Sequence, residues 1–198
     1  MITIDPETIL REAKWHQGHG ACPPDFLGMG MLYFALVYMS KAKLAMCLGS
    51  GGAFVPRCMR AAQRAFDPQG SRTILVDNAS GRWGEPNWLP KDSYFRQQWG
   101  DVEIWLMDTA KAALRLKKER ALIDVLHIDA DHSAKGSWAD FVDFSPLVRQ
   151  PEGIITMHDP DLRGVEATLQ KIRRGRQWDM VWFDVGVGLV ILRPKFLP

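Results

Sequence analysis

Cysteine is scarce. Cys22, Cys47 and Cys58 are the only three in 198 residues. They form neither a metal-ligand pair nor an even-numbered set, which argues against a disulfide-built fold and for a reducing, cytoplasmic setting. An excess of one charge is also missing. The formal net charge is +2, which gives no electrostatic footprint for nucleic acid or an anionic membrane. The one basic run, Lys117-Lys118-Glu119-Arg120, reads as the solvated end of a helix, where cations complement the dipole. Long apolar runs are absent as well. The stretch from Phe26 to Met39 is broken by Gly28 and Gly30 and falls short of the roughly 20 residues that a spanning helix needs. Asp5-Pro6-Glu7 resembles a helix N-cap followed by proline at the first helical position, not a signal peptide. No internal repeat or low-complexity segment stands out.

What is present is a globular core. Hydrophobic residues make up 46% of the chain, enough for one domain with both faces of a sheet covered. Short β-branched or apolar runs occur at Leu44–Leu48, Thr73–Val76, Val102–Met107, Ile123–Ile128, Gly153–Met157, Met180–Val185 and Gly188–Leu192. They alternate with helical patterns over Pro56–Ala65, Thr109–Glu119, Lys135–Leu147 and Gly164–Arg173, which predicts βαβ units and a mostly parallel sheet. Two further helices, Pro6–Trp15 and Met29–Ser40, are expected before the first strand. Only Gly186-Val187 or so separates the last two strands, too little for a crossover, so they should pair antiparallel. The expected fold is thus α/β, a Rossmann-like seven-stranded sheet ending in an antiparallel hairpin, with helices on both faces. Residues 1–42 are expected to pack as an N-terminal helical segment on a catalytic domain spanning 43–198. The connection from Asn78 to Gly100 is long for a compact domain, which points to a functional loop. Its Trp83, Trp88 and Trp99 argue against disorder.

Three features converge on the carboxyl ends of the strands, where open α/β sheets bind ligands. After the first strand comes Leu48-Gly49-Ser50-Gly51-Gly52-Ala53, a turn that lets backbone approach a ligand closely at a helix N-terminus. The second strand ends in Asp77-Asn78, with Asp77 spaced to accept hydrogen bonds from a ribose diol or to serve as a turn residue. The third ends in Asp108-Thr109, where Asp108 is a ligand contact or a helix cap. Convergence on one rim does not by itself separate a methyl-donor cofactor from a nicotinamide one.

The strongest signal is Ile123-Asp124-Val125-Leu126-His127-Ile128-Asp129-Ala130-Asp131-His132-Ser133. A buried strand delivers Asp129, Asp131 and His132 at its C-terminal end, and clustered carboxylates repel unless a cation or proton is shared. One strand later, His158 and Asp159 reach the same rim. Three aspartates and two histidines there suit a hard divalent cation such as Mg²⁺ or Mn²⁺ better than zinc. Separately, His16, His19 and Cys22 form a loose His-x-x-His-x-x-Cys run that reads chiefly as a loop near the active-site mouth.

The strings from His127 to Ser133, Trp138-Ala139-Asp140-Phe141, Ser145-Pro146-Leu147-Val148, Gly153-Ile154-Ile155 and His158-Asp159 carry a resemblance. It is to class I S-adenosylmethionine (SAM)-dependent methyltransferases, in particular the family 24 group related to metal-dependent catechol, caffeoyl-CoA and macrolide-sugar O-methyltransferases. The resemblance runs from about Lys43 to Arg193. It implies that Gly49, Ser50 and Gly51 pass under the methionine part of SAM. Asp77, with Asn78 beside it, would hold the ribose, and Asp108 would sit near the adenine. Asp129 would line the cofactor site and supply the first metal carboxylate, with His158 and Asp159 completing the protein ligands. Asp131 matches a general-base position, with His132 as a second candidate. The chain departs from the family pattern at Cys47, where relatives usually carry a carboxylate. It departs again at His158-Asp159, where they often carry Asp-Asn, Asp-Asp or Glu-Asp. The implied activity is metal-assisted O-methylation of a small molecule with neighbouring oxygens, a sugar or a catechol. Trp83 and Trp88 read chiefly as packing, with a wall of the acceptor pocket, shared with the N-terminal region, as the alternative. The rivals are a degenerate SAM-fold binding module and a nucleotide-dependent oxidoreductase or hydroxylase on the same scaffold. A chain this short leaves room for a site completed by a second copy in a homo-oligomer.

Overall fold

The computed structural model describes residues 4–80 and 86–195. The strands are β1 (Leu44–Leu48), β2 (Arg72–Asp77), β3 (Val102–Leu106), β4 (Val125–Ile128), β5 (Ile154–His158), β6 (Trp178–Phe183) and β7 (Leu189–Pro194). They form one sheet in the order β3-β2-β1-β4-β5-β7-β6. Every pairing is parallel except those of β7, which runs antiparallel to both β5 and β6. The chain reverses at β1, so β1 and β4 part at the middle of the rim and leave a crevice at their carboxyl ends.

All five residues of β1 are buried, and alternate side chains go to opposite faces. Ala45 and Cys47 join an apolar cluster with Ile9, Tyr33, Phe34, Phe54 and Trp88. Leu44, Met46 and Leu48 join a second cluster with Leu116, Phe141, Phe144 and Leu169. The first face is covered by α1 (Pro6–Leu10), α2 (Gly30–Met39) and α3 (Phe54–Arg64), the second by α5 (Thr109–Glu119), α6 (Ala134–Phe144) and α7 (Arg163–Gly175). The short α4 (Tyr94–Gln98) lies in the long connection after β2 and was not evident in the sequence pattern. Trp88 from that connection is fully buried, and its indole N–H donates to the Gly51 carbonyl at 3.0 Å. Truncating so buried a ring costs about 3–5 kcal/mol, so the loop is tied to the glycine turn. Trp83 lies outside the described residues.

The first helix is shorter than its sequence pattern suggests. It stops at Leu10, and both Glu12 and Trp15 are left-handed, with φ of 59° and 68°. The cause is Arg57 of α3, which is fully buried. Its Nη1 donates to the Ile9 and Arg11 carbonyls, taking up acceptors that another helical turn would use. The chain then runs across the sheet's rim to a 3-10 turn at His16–His19. The β6–β7 turn is also longer than expected, spanning residues 184–188. It reaches over to this 3-10 turn, and Val187 N–H donates to the Gly18 carbonyl at 2.8 Å. Gly186, at φ 63°, approaches the same carbonyl so closely that a Cβ would collide with it. None of the helices described is long and apolar enough to cross a membrane.

One core group carries a pH signature. Asp140 of α6 is 4% exposed, and burial pushes its carboxyl up to about 6 despite hydrogen bonds from Thr109 and the Asp131 backbone. A folded pKa above the unfolded value means the folded protein holds its proton more tightly. Stability should therefore fall as pH rises from about 4 to 6, by up to about 3 kcal/mol, and stay reduced above that. The Asp140→Asn variant is expected to melt above wild type at pH 8 and level with it at pH 4. A difference between the two melting temperatures that does not change with pH would contradict this assignment.

Candidate active site at the carboxyl ends of the strands

The turn after β1 is built to expose backbone. Gly49 has φ 69° and Gly51 φ 48°, conformations that glycine adopts without steric cost. The Gly49 N–H donates to the Val76 carbonyl at 2.8 Å, and the Asp129 N–H donates to the Leu48 carbonyl at 2.8 Å. A Cβ at Gly49 would strike the Asp129 carbonyl, and one at Gly52 the Lys14 backbone. The hydroxyl of Ser50 is buried with no hydrogen-bond partner. Cys47 donates its thiol to the Gly49 carbonyl at 2.9 Å, and its burial pushes the thiol pKa well up.

Asp77 ends β2 half-buried beside this turn, accepting the Ala79 N–H at 2.7 Å. Burial raises its pKa. Asn78 and Asp108 are exposed and bonded to each other at 3.0 Å. Asp108 occupies the N-cap position of α5 but makes no capping bond there.

The carboxylates and imidazoles converge on Asp129. His132 Nε2 lies 3.1 Å from Asp129 Oδ1 and 3.1 Å from Asp159 Oδ2. His158 Nδ1 lies 3.4 Å from the same two oxygens, yet neither of its ring nitrogens has a hydrogen-bond partner. His127, on β4, is fully buried, with Nε2 3.8 Å from Asp129 Oδ2. Asp159 is held left-handed at φ 52°, which an aspartate tolerates better than most residues. Asp131 is exposed, and its Oδ1 accepts the Ser133 N–H at 2.8 Å, at the start of α6.

The electrostatics follow from this clustering. Hydrogen bonding to Asp129 and Asp159 raises His132 to about 10. Burial pulls His158 down, but Asp129 and Asp159 more than reverse this and hold it at about 10. Burial would raise Asp159, yet His132 and His158 hold it at about 2. Burial likewise opposes ionisation of Asp129, and the surrounding imidazoles outweigh it, leaving Asp129 well below the usual carboxylate range. As two negative and two positive groups the centre is self-neutralising, an arrangement open to exchange of its protons for a divalent cation.

Sequence reasoning gathered Asp129, His132, His158 and Asp159 at this rim, and the structure brings them within contact. It missed His19 and His127. The ring of His19 stacks on His158 with centroids 4.1 Å apart, while His16 turns back to the Ala13 carbonyl and Cys22 is exposed. The His-x-x-His-x-x-Cys run is therefore split. Only its second histidine enters the site.

The sheet order, the glycine turn and the acidic strand ends define a class I SAM-dependent methyltransferase scaffold. Residues 47–160 match the family model described as "Methyltransferase domain", more than half the chain, and the chain belongs to this family. Solved structures with the same fold include the O-methyltransferase from Bacillus cereus in complex with SAH. It is 16% identical with a TM-score of 0.68, over 89% of this chain and 83% of that one. The SAH-bound methyltransferase from Podospora anserina is 16% identical with a TM-score of 0.64, over 96% and 88%. A methyltransferase from Geobacter sulfurreducens is 17% identical with a TM-score of 0.62, over 83% and 77%. No curated protein matches the sequence.

The Gly49→Ala substitution tests the turn. A left-handed alanine costs roughly 1–2 kcal/mol, and the collision with the Asp129 carbonyl adds to it. The variant is expected to unfold at lower denaturant and to lose affinity for SAM. Unchanged stability would show that the turn has room the structure denies it.

Proposed function

We propose that this protein transfers the methyl group of SAM to a hydroxyl of a small molecule bearing neighbouring oxygens, such as a sugar or a catechol, with help from a divalent cation. The observation that carries the reading is the double role of Asp129. Its backbone packs against Gly49 in the cofactor turn and its side chain centres the carboxylate–imidazole cluster, so donor and acceptor sites share one residue.

The residues fit the groups the reading requires. The bare backbone at Gly49 and the unpartnered Ser50 hydroxyl suit the methionine end of the cofactor, and Asp77 suits its ribose diol. Asn78 and Asp108 stand farther out, on the adenine side. Asp129 and Asp159, with His158 Nδ1 3.4 Å from an oxygen of each, suit a divalent cation. When bound, SAM supplies an electrophilic methyl carbon, and the cation lowers the pKa of an oxygen it holds.

The protein's own part is alignment and proton handling. Asp129 and Asp159 orient the acceptor's oxygens toward the glycine turn. His132 reaches both carboxylates from the exposed side. The carboxylates that keep His132 protonated would be competed for by a cation held by Asp129 and Asp159, and His132 Nε2 would then be placed to receive the acceptor's proton. Asp131, engaged at the start of α6, secures the segment that carries His132. Trp88 and the Lys14–Trp15 segment wall the cofactor turn.

The test is calorimetric titration of SAM, and separately of NAD, into the purified protein. SAM is expected to bind and NAD not to. Asp77→Asn should weaken SAM by about 10–100-fold, the worth of one charge-assisted hydrogen bond. Binding of NAD in place of SAM would instead support the oxidoreductase alternative, and binding of neither a degenerate module.

A further inference from the structure

The donor set around Asp129 is richer in imidazole than a site for a hard cation requires. Four of the chain's five histidines lie in it: His19, His127, His132 and His158. One atom from each of His19, Asp129 and His158 falls within 4.8 Å of the others. His158 is 5% exposed with both nitrogens unpartnered, and His127 is fully buried with Nε2 unpartnered.

The hydrogen bonds on the outer side of these rings determine which nitrogens face inward. His127 Nδ1 lies 2.8 Å from the Thr156 hydroxyl, which donates its own proton to the Leu126 carbonyl. The Thr156 contact orients the ring so that its Nε2 faces the Asp129 carboxylate, 3.8 Å away. His19 shows the same outer support, its Nδ1 3.1 Å from the Tyr33 hydroxyl, the kind of partner that orients a ligating imidazole.

His19 is also fixed in place by backbone. Its carbonyl accepts the Met29 N–H at 2.8 Å. Gly28, at φ 51°, packs so closely on Gly20 and His19 that a Cβ would collide. The N-terminal 3-10 turn is thus stitched at both ends with His19 directed at the cluster.

We propose that His19, His158 and Asp129 form a binding site for a late first-row divalent cation of the Zn²⁺ or Co²⁺ kind, in preference to Mg²⁺. The N-terminal segment supplies one ligand. Two imidazoles and one carboxylate suit such ions, whereas Mg²⁺ favours an oxygen shell and retains its waters. Metal–ligand bonds near 2.1 Å place neighbouring ligand atoms roughly 3–3.5 Å apart. His19 and His158, stacked with ring centroids 4.1 Å apart, would turn out of the stack on loading to aim a nitrogen each at the ion. A bound cation would cross-link the N-terminal segment to β4 and β5 and so hold it over the active-site rim. The proposal rests on reading this rim as the methyl-transfer site, and its test separates the two.

The full-length protein is stripped with a chelator and titrated with Co²⁺, following the visible absorption bands, with and without a large excess of Mg²⁺. X-ray absorption at the cobalt edge then reports the ligands. One Co²⁺ per chain is expected, with at least two imidazoles in the shell and no displacement by Mg²⁺. Losing even an outer partner of a metal site costs roughly 10–100-fold, so His19→Gln should weaken Co²⁺ by at least about that much. Should that variant fail to fold, the absorption spectrum of wild type decides. SAM titration of the stripped protein runs alongside. SAM binding without a cobalt–imidazole shell would overturn this proposal and leave methyl transfer standing. A cobalt–imidazole shell without SAM binding would do the reverse. An all-oxygen shell, ready displacement by Mg²⁺, or unchanged affinity in a folded His19→Gln variant overturns the site.

Discussion

Everything at the rim depends on how Asp129 is held. Its N–H is bonded to the Leu48 carbonyl, and its own carbonyl presses on Gly49. The glycine turn and the polar cluster are therefore packed directly on each other. Its side chain, mostly shielded from water, is surrounded by imidazoles from three parts of the chain: His127 and His132 around β4, His158 at the end of β5, and His19 from the N-terminal turn, whose ring stacks on His158. A buried carboxylate without compensation is costly. The packing of these segments against one another is thus coupled to the charge balance at one residue.

The N-terminal residues are part of this balance. Arg57 interrupts the first helix by bonding the Ile9 and Arg11 carbonyls, and the chain is thereby diverted across the glycine turn. There the Lys14 backbone packs on Gly52 and the Trp15 ring on Gly51. The β6–β7 turn then grips the following 3-10 turn through Gly18. The Nε and Nη2 atoms of Arg57, which make no hydrogen bond, show that this diversion has an energetic cost. A fully buried guanidinium is retained where a shorter apolar residue would let the helix continue. The benefit is positional, since only the interrupted path brings His19 to the cluster.

The sheet was legible because parallel strands buried on both faces read as short continuous apolar runs. The strands from Leu44, Thr73, Val102 and Val125 fall close to where those runs predict. The acidic strand ends were legible for the same reason, being the polar residues at which such runs stop. His127 was not, because a histidine inside an apolar strand reads as a core position, and its place beside Asp129 appears only when Thr156 on the neighbouring strand orients its ring. His19 was not, because its place depends on contacts with residues far along the chain, at Gly28, His158 and Val187. The early end of the first helix was hidden similarly. Its periodicity continues past Leu10, and the competing donor comes from Arg57 in another helix.

Cys47 gains its meaning from the same charge balance. At a position where the family resemblance implies a carboxylate, this chain places a thiol on the side of β1 that faces Tyr33 and the buried helices. Asp77 and Asp129 both lie near enough to oppose ionisation there. A third carboxylate in that place would face two others in a poorly solvated crevice and would draw on the imidazoles that now neutralise Asp129 and Asp159. The thiol instead satisfies the Gly49 carbonyl and remains neutral. The neutral thiol leaves the imidazoles to balance Asp129 and Asp159 alone.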